Sequence, residues 1–444
     1  MLPVAPLLLA LAGASVPPAT VEPAVLVDIR SASASDVDRL KQRADWWLEL
    51  GNTLLVAGQG QDRGEAAALP VLGRLDALAP EQLALRATGC AAADDAPGEL
   101  LARGGRWELR RLGVGQALPQ ATTADEAWRR VAPDTVIARQ YRLDAGVTAP
   151  PDPGIMPIVQ HIDAARWFDD VSQLASWDRS SFGTTELFAA RDWIGASLAG
   201  LGLTTRMEDF QMWGPSGRIT RQNVIGQWTG TTHPDEWVIV GAHYDSRNAN
   251  PSSITNTPGA EDNASGCAGV IELARALLPF RPERSVLFMC YAGEEQGLDG
   301  SQANVDALTA SGDIAKVKAV VIMDMIGYSV DGDLSVDFES YPAWQNYLQR
   351  FGAAAATYVP GLDVLLSTSA WGSDHVPYLN AGRQTLLAIE SDWDIYPHYH
   401  KSTDTPANMG PHAQAMGGAI LKVNAAMLGE LAGASDVILA APFD

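Results

Sequence analysis

Three short segments bring together side chains that can hold a metal and move a proton: His243 with Asp245, Asp262 with Asn263, and Glu294 with Glu295. Asp324 and the histidines His375, His398 and His400 follow further along. Imidazole and carboxylate are ligands that suit zinc. Five ligands with one carboxylate to spare are enough for two ions and a base, the requirement of metal-assisted hydrolysis. His243 and Asp245 are two positions apart, so the imidazole can bind through one nitrogen while Asp245 accepts a proton from the other. Glu294 and Glu295 are adjacent and diverge, so one can ligate while its neighbour faces an attacking water. Asp324 lies inside Val320-Val321-Ile322-Met323-Asp324-Met325-Ile326, where an ionised carboxylate is costly to bury without a cation.

Each residue also has a plainer reading. His243 alone is an ordinary strand-end histidine. Asp262 stands immediately before a helical pattern whose apolar face carries Val270, Leu273 and Leu277, which is the place of a helix cap. Spacing alone does not choose among His375, His398 and His400 as the last ligand. Ser373-Asp374-His375 does not make a serine hydrolase, because contiguous residues rarely converge as a triad and no Gly-x-Ser-x-Gly elbow is present.

The elements that must position these groups are legible from the hydrophobic pattern. Trp237 to Ala242, Ser285 to Tyr291, Ala319 to Met325 and Thr385 to Glu390 are nearly continuous apolar runs, as expected of strands covered by helices on both faces. Helices start near Asn263, Ser301, Tyr341 and Pro406, after an earlier one from Thr185 to Gly200 that Gly200 and Gly202 end. Gly266 and Gly269 allow the helix after Asn263 to lie close on the sheet. This alternation predicts an α/β fold with a doubly wound, mostly parallel sheet, in which ligands gather beyond the carboxyl ends of the strands. His243, the Glu294–Glu295 pair and Asp324 all fall at such ends.

At 444 residues the chain exceeds what one core usually supports. Residues 21–147 read as a small α+β N-terminal domain, with strands at Ala24 to Ile29 and Thr53 to Ala57 around a helical stretch from Asp36 to Leu50. Residues 148–157 form a proline-rich linker, and 158–444 the catalytic domain. The net charge of −22 argues against a nucleic-acid or anionic-membrane partner. Residues 1–20 read as a signal peptide, with an apolar run from Leu2 to Ala14 and the small-residue pattern Ala12-Gly13-Ala14, although no Lys or Arg precedes the run. A secreted or periplasmic location follows from it, and no later stretch is apolar for long enough to span a bilayer. Cys90, Cys267 and Cys290 cannot form a dense disulfide framework. Cys267 and Cys290 fall among apolar neighbours and read as buried free thiols.

Gly241-Ala242-His243-Tyr244-Asp245-Ser246, Gly259-Ala260-Glu261-Asp262-Asn263-Ala264-Ser265-Gly266, Glu294-Glu295-Gln296-Gly297, Met323-Asp324-Met325-Ile326-Gly327-Tyr328 and His400 with Asp404-Thr405 together resemble the co-catalytic di-zinc exopeptidases of the bacterial leucyl aminopeptidase type. Glutamate carboxypeptidase II and glutaminyl cyclase are more distant relatives of that family. The resemblance covers roughly Ile158 to the C-terminus. It implies two Zn2+ per chain, with Asp262 bridging and His243, Glu295, Asp324 and His400 completing the ligands. His375 and His398 are left without a metal role. It further implies Glu294 as general acid and base, Asp245 as the partner of His243, Tyr399 as a group that steadies the oxyanion, and a cis peptide after Asp262. The implied activity is hydrolysis at peptide or protein N-termini, with a carboxypeptidase or a glutaminyl cyclase as the alternatives on the same scaffold.

Overall fold

The computed structural model describes residues 21–29, 32, 34–58, 69–87, 96–104, 107–120, 127–138, 140–141, 150–370 and 372–434. The signal segment, Cys90 and the first residues of the linker lie outside them. The N-terminal part runs β1 (Glu22–Asp28), α1 (Ala34–Arg43), β2 (Trp46–Leu50), β3 (Thr53–Ala57), β4 (Val71–Leu78), β5 (Leu83–Ala87), β6 (Glu99–Gly104), β7 (Trp107–Arg111), β8 (Ala127–Arg130) and β9 (Thr135–Ala138). These strands form two sheets, ordered β4-β1-β3-β2-β9 and β6-β7-β5-β8. One apolar cluster joins Leu26, Leu48 and Leu55 of the first sheet to Leu85 and Leu109 of the second, while Leu40 of α1 covers the opposite face with Val25, Val27 and Val56. The helical stretch expected from Asp36 to Leu50 is in fact two elements. Trp46, Leu48 and Leu50 alternate into the core between the sheets, a period-two signal that five residues are too few to separate from a helical one.

The remaining elements are β10 (Gln140–Tyr141), α2 (Met156–Gln160), α3 (Ala164–Leu174), α4 (Thr185–Gly200), β11 (Thr204–Gly214), β12 (Gly217–Trp228), β13 (His233–His243), α5 (Ser265–Leu277), β14 (Arg284–Tyr291), α6 (Asp299–Ser311), β15 (Val317–Met323), β16 (Ser335–Glu339), α7 (Gln345–Tyr358), β17 (Asp363–Ser367), α8 (His375–Asn380), β18 (Thr385–Glu390) and α9 (Ala413–Ala432). Nine strands make one sheet, ordered β10-β17-β16-β18-β15-β13-β14-β12-β11. The four strands expected from the sequence, β18, β15, β13 and β14, are its parallel centre. The hairpin β11–β12, whose burial is more broken, and strand β16 extend it with antiparallel pairings.

Alternate residues of the central strands feed two layers. Val238, Val240, Val321 and Met323 pack against α3, α5 and α9, while Ile239, Val320 and Ile322 face α6 and α8. This two-sided burial is why the strands read as continuous apolar runs. Among the described residues, no helix is long and apolar enough to cross a membrane. Strand β10 pairs antiparallel with β17, and Ser369 Oγ donates to the Ile137 carbonyl at 2.7 Å, so the N-terminal part is tied to the segment leading into α8.

Cys267 of α5 and Cys290 of β14 are joined by a disulfide, with Cα atoms 5.9 Å apart, which corrects the expectation of free thiols. Their burial is as expected, but the register of α5 over β14 is not written in the sequence. Closing a 23-residue separation stabilises the fold by about 3 kcal/mol in the chain-entropy account. Replacing both cysteines by Ala is expected to lower unfolding free energy by about that amount, read from denaturant unfolding with midpoint and slope both fitted.

Candidate metal centre

Every sequence-selected ligand arrives at one edge of the sheet. His243 ends β13, Asp324 follows β15 directly, Glu294 and Glu295 lie just beyond β14, and His400 comes from the loop after β18. Asp262 lies in the loop before α5, joined to Asn263 by a cis peptide. Asn263 secures that loop to the end of β15: its Nδ2 donates to the Met323 carbonyl at 3.0 Å, and its Oδ1 accepts from the amides of Gly266 at 2.8 Å and Met325 at 3.2 Å. A Cβ at Gly266 would stand 2.6 Å from the Met323 carbonyl oxygen, so only glycine permits this approach.

Two three-residue clusters result, His243–Asp262–Asp324 and Asp262–Glu295–His400, and Asp262 belongs to both. His243 Nε2 lies 3.3 Å from Asp262 Oδ1 and 3.4 Å from Asp324 Oδ1. His400 Nε2 lies 2.7 Å from Asp262 Oδ2 and 3.1 Å from Glu295 Oε2. One carboxylate thus turns an oxygen to each cluster. His243 Nε2 and Glu295 Oε1 are buried and have no hydrogen-bond partner among the described residues. Buried lone pairs converging in this way fit a metal site.

The charges are strongly coupled. Burial opposes a proton on His243, yet Glu294 and the carboxylates of Asp245, Asp262 and Asp324 raise its pKa well above the ordinary value. His400 is likewise raised, against burial, chiefly by Glu295 and then by Asp262. Burial pushes Asp262 up, but the two imidazoles prevail and hold it well below the usual carboxylate range. Metal uptake here displaces protons, so acidification favours metal release.

Around the clusters stands a set of groups that hold them in place. His243 Nδ1 meets the backbone carbonyl of Asp245 at 3.1 Å, whereas the Asp245 carboxylate is 3.6 Å away. The expected tautomer contact is therefore made by the main chain. The carboxylate instead accepts from Ser181 Oγ at 2.8 Å and from the Glu294 amide at 3.3 Å. Ser373 Oγ donates to Asp324 Oδ2 at 2.7 Å, so the serine of the discarded triad orients a ligand. Asp404 accepts from the amides of Glu261 and Asp262 and from Tyr396 OH, clamping the bridging loop.

Arg179 is wholly buried and donates to the carbonyls of Tyr244, Leu174, Pro258 and Gly259. Burial lowers its pKa to about 10, opposed by Asp404, Asp245, Asp262 and Glu295. Neither Ser181 nor Arg179 carries any local signal that ties it to the motifs, and only the fold brings them there. Glu294 Oε2 is 3.9 Å from His243 Nε2, beside the clusters but in neither. The Tyr399 ring stacks on His400 with centroids 3.9 Å apart. His400 itself has φ +50°, a conformation that non-glycine residues seldom adopt. His398 bonds Thr403 at the surface and His375 opens α8, so neither joins the clusters.

Residues 223–423 match Peptidase family M28. The chain is 32% identical over 191 residues to Aminopeptidase YwaD of Bacillus subtilis, a match spanning 42% of this chain and 40% of that one. It is 40% identical over 115 residues to a probable zinc metalloprotease of Pyrenophora teres f. teres, spanning 26% of this chain and 24% of that one. The chain thus spans less than half the length of each of these curated relatives. The solved structure of an aminopeptidase from Aneurinibacillus sp. strain AM-1 superposes with a TM-score of 0.53 at 16% identity, covering 62% of this chain and 95% of that one, a likeness of fold. The clustered residues all fall within 223–423, the part of the chain that matches Peptidase family M28.

Proposed function

We propose that the chain is a zinc-dependent aminopeptidase that holds two Zn2+ and hydrolyses the N-terminal peptide bond of peptides or proteins. The observation that carries this reading is Asp262, whose two oxygens face two separate ligand clusters. His243 and Asp324 would hold one ion, Glu295 and His400 the other, with Asp262 between them. Zinc held at these positions would supply Lewis acidity toward the scissile carbonyl and the attacking water. Glu294 takes the water's proton on its carboxylate and delivers it to the leaving amine. Asp245 serves this step from behind, through its carbonyl on His243 and its carboxylate on the Glu294 amide. Tyr399, fixed against His400, donates its hydroxyl to the carbonyl oxygen as charge develops there.

Residues 21–147 are assigned as a separate N-terminal domain, 148–157 as its linker and 158–444 as the catalytic domain. The apolar leader and the buried disulfide support export to an oxidising compartment, secreted or periplasmic. The test is metal analysis beside a substrate panel: Leu-, Ala- and Glu-terminated chromogenic amides, a C-terminally labelled peptide and a peptide beginning with Gln. Chelator-sensitive cleavage of the amides is expected. Release of the C-terminal label, or cyclisation of the Gln peptide without amide cleavage, would replace the aminopeptidase reading with a carboxypeptidase or a glutaminyl cyclase.

A further inference from the structure

The turn that carries Glu294 is held by two successive amides, and both point at the same pair of side chains. Ser181 lies in the loop between α3 and α4, distant in sequence from every motif, and is wholly buried. Its Oγ donates to Asp245 Oδ2 at 2.8 Å and accepts from the Gly293 amide at 2.9 Å, so the proton and a lone pair of one hydroxyl are both engaged. Asp245 Oδ1 accepts from the next amide, that of Glu294, at 3.3 Å. Gly293 turns here at φ +74°, and a Cβ on it would stand 3.2 Å from Asp299 Cβ and 3.3 Å from Met212 Sδ, so the turn is closely packed on its other side. Ser181 is itself fixed by Arg221 of β12, which is 5% exposed: Nε donates to the Ser181 carbonyl, and Nη2 to the Gly183 carbonyl at 3.0 Å. None of these bonds uses a side chain of the two ligand clusters. The contact of Asp245 with His243 goes through the Asp245 backbone carbonyl instead.

Resting on Glu294 as the base, we propose that Ser181 is a positioning residue of the reaction: with the Asp245 carboxylate it forms a cradle for the Gly293 and Glu294 amides that sets where the Glu294 carboxylate stands, and it does so without holding metal. Removing the hydroxyl leaves the Gly293 amide buried and unpaired, and the turn shifts toward another acceptor, carrying Glu294 with it. A misplacement of about 1 Å at a reacting group costs about a hundredfold in rate, so the loss falls on turnover. Arg221 supports the cradle from behind, through the Ser181 backbone.

The experiment measures kcat, KM and zinc per chain for four full-length, zinc-loaded proteins on one amide substrate: wild type, Ser181→Ala, Glu294→Ala and the double variant. Ser181→Ala is expected to lower kcat by about tenfold to a hundredfold, with KM within about twofold of wild type and zinc unchanged. In the Glu294→Ala background the same substitution should change kcat by no more than about twofold, because the group it positions is gone. Losses that multiply in the double variant overturn the inference, as does a kcat in Ser181→Ala equal to wild type or a fall in its zinc content. If circular dichroism shows Ser181→Ala unfolded, Ser181→Cys, which fills the site but donates and accepts only weakly, is read in the same cycle. Equal turnover in wild type and Glu294→Ala removes Glu294 as the base, and this inference with it. A large loss in Glu294→Ala that multiplies with the loss at Ser181 removes the cradle alone.

Discussion

Glu294→Ala is expected to lower kcat by about a hundredfold to ten-thousandfold while zinc per chain stays at the wild-type value. The geometry separates the two readouts. Glu294 belongs to neither ligand cluster, yet its Oε2 is 3.9 Å from His243 Nε2 and the residue is 4% exposed, so it is held beside the reacting position and not in solvent. Its backbone is fixed independently of its carboxylate, by the amide's bond to Asp245 and by the bonds its carbonyl accepts from Gly297 and Leu298. Truncation therefore removes a proton carrier without loosening the loop that delivers Glu295. Glu294→Gln keeps the shape and is expected to lose nearly as much activity. Zinc is measured by elemental analysis and turnover on the best amide substrate. Near-normal turnover in either variant would remove Glu294 as the base.

Asp262→Ala is expected to abolish measurable turnover and to leave less than one zinc per chain after dialysis. Among the described residues no other offers an oxygen to both clusters, and without it two buried imidazoles face Glu295 and Asp324 with no shared ligand between them. The loss also unbalances Arg179, whose buried charge is offset in part by Asp262. Thermal unfolding gives a second readout. Zinc binding to the native state raises Tm in the wild type, and this increment should vanish in the variant. Asp262→Asn, which keeps the volume and the hydrogen bond from its amide to Asp404, should behave like Asp262→Ala if charge and bridging are what matter. Two tightly held zinc ions in Asp262→Ala would refute the bridging arrangement.

The sequence made the centre of the fold and the ligands legible for the same reason. A strand covered on both faces has to be apolar throughout, so a charged residue at its end stands out, as Asp324 does after Val317–Met323. Thr385–Glu390 and Thr185–Gly200 are found with the bounds their patterns predict. Strands β16 and β17 have no such contrast and went unread. The spacing predicts Asp245 as the partner of His243, but which of its atoms makes the contact depends on the strand-to-loop turn, and that turn gives the work to the carbonyl. Ser181, Ser373 and Arg179 act across long separations in sequence, and a serine or arginine in a loop carries no pattern of its own. Arg247 lies within the stretch that resembles the family, yet nothing in its spacing shows that its fork reaches His400. The pairing of Cys267 with Cys290 is the same kind of information, a register between layers.

Strand β10 carries the N-terminal part into the nine-stranded sheet. Its pairing of Gln140 with Ser367 and Tyr141 with Leu366 supplies the outermost strand of the nine-stranded sheet. A strand left at a sheet's border presents a row of unused amides and carbonyls that invites pairing with another chain. By lying along β17, the segment ahead of the linker pairs the end of that border, Leu366 and Ser367, within the same molecule.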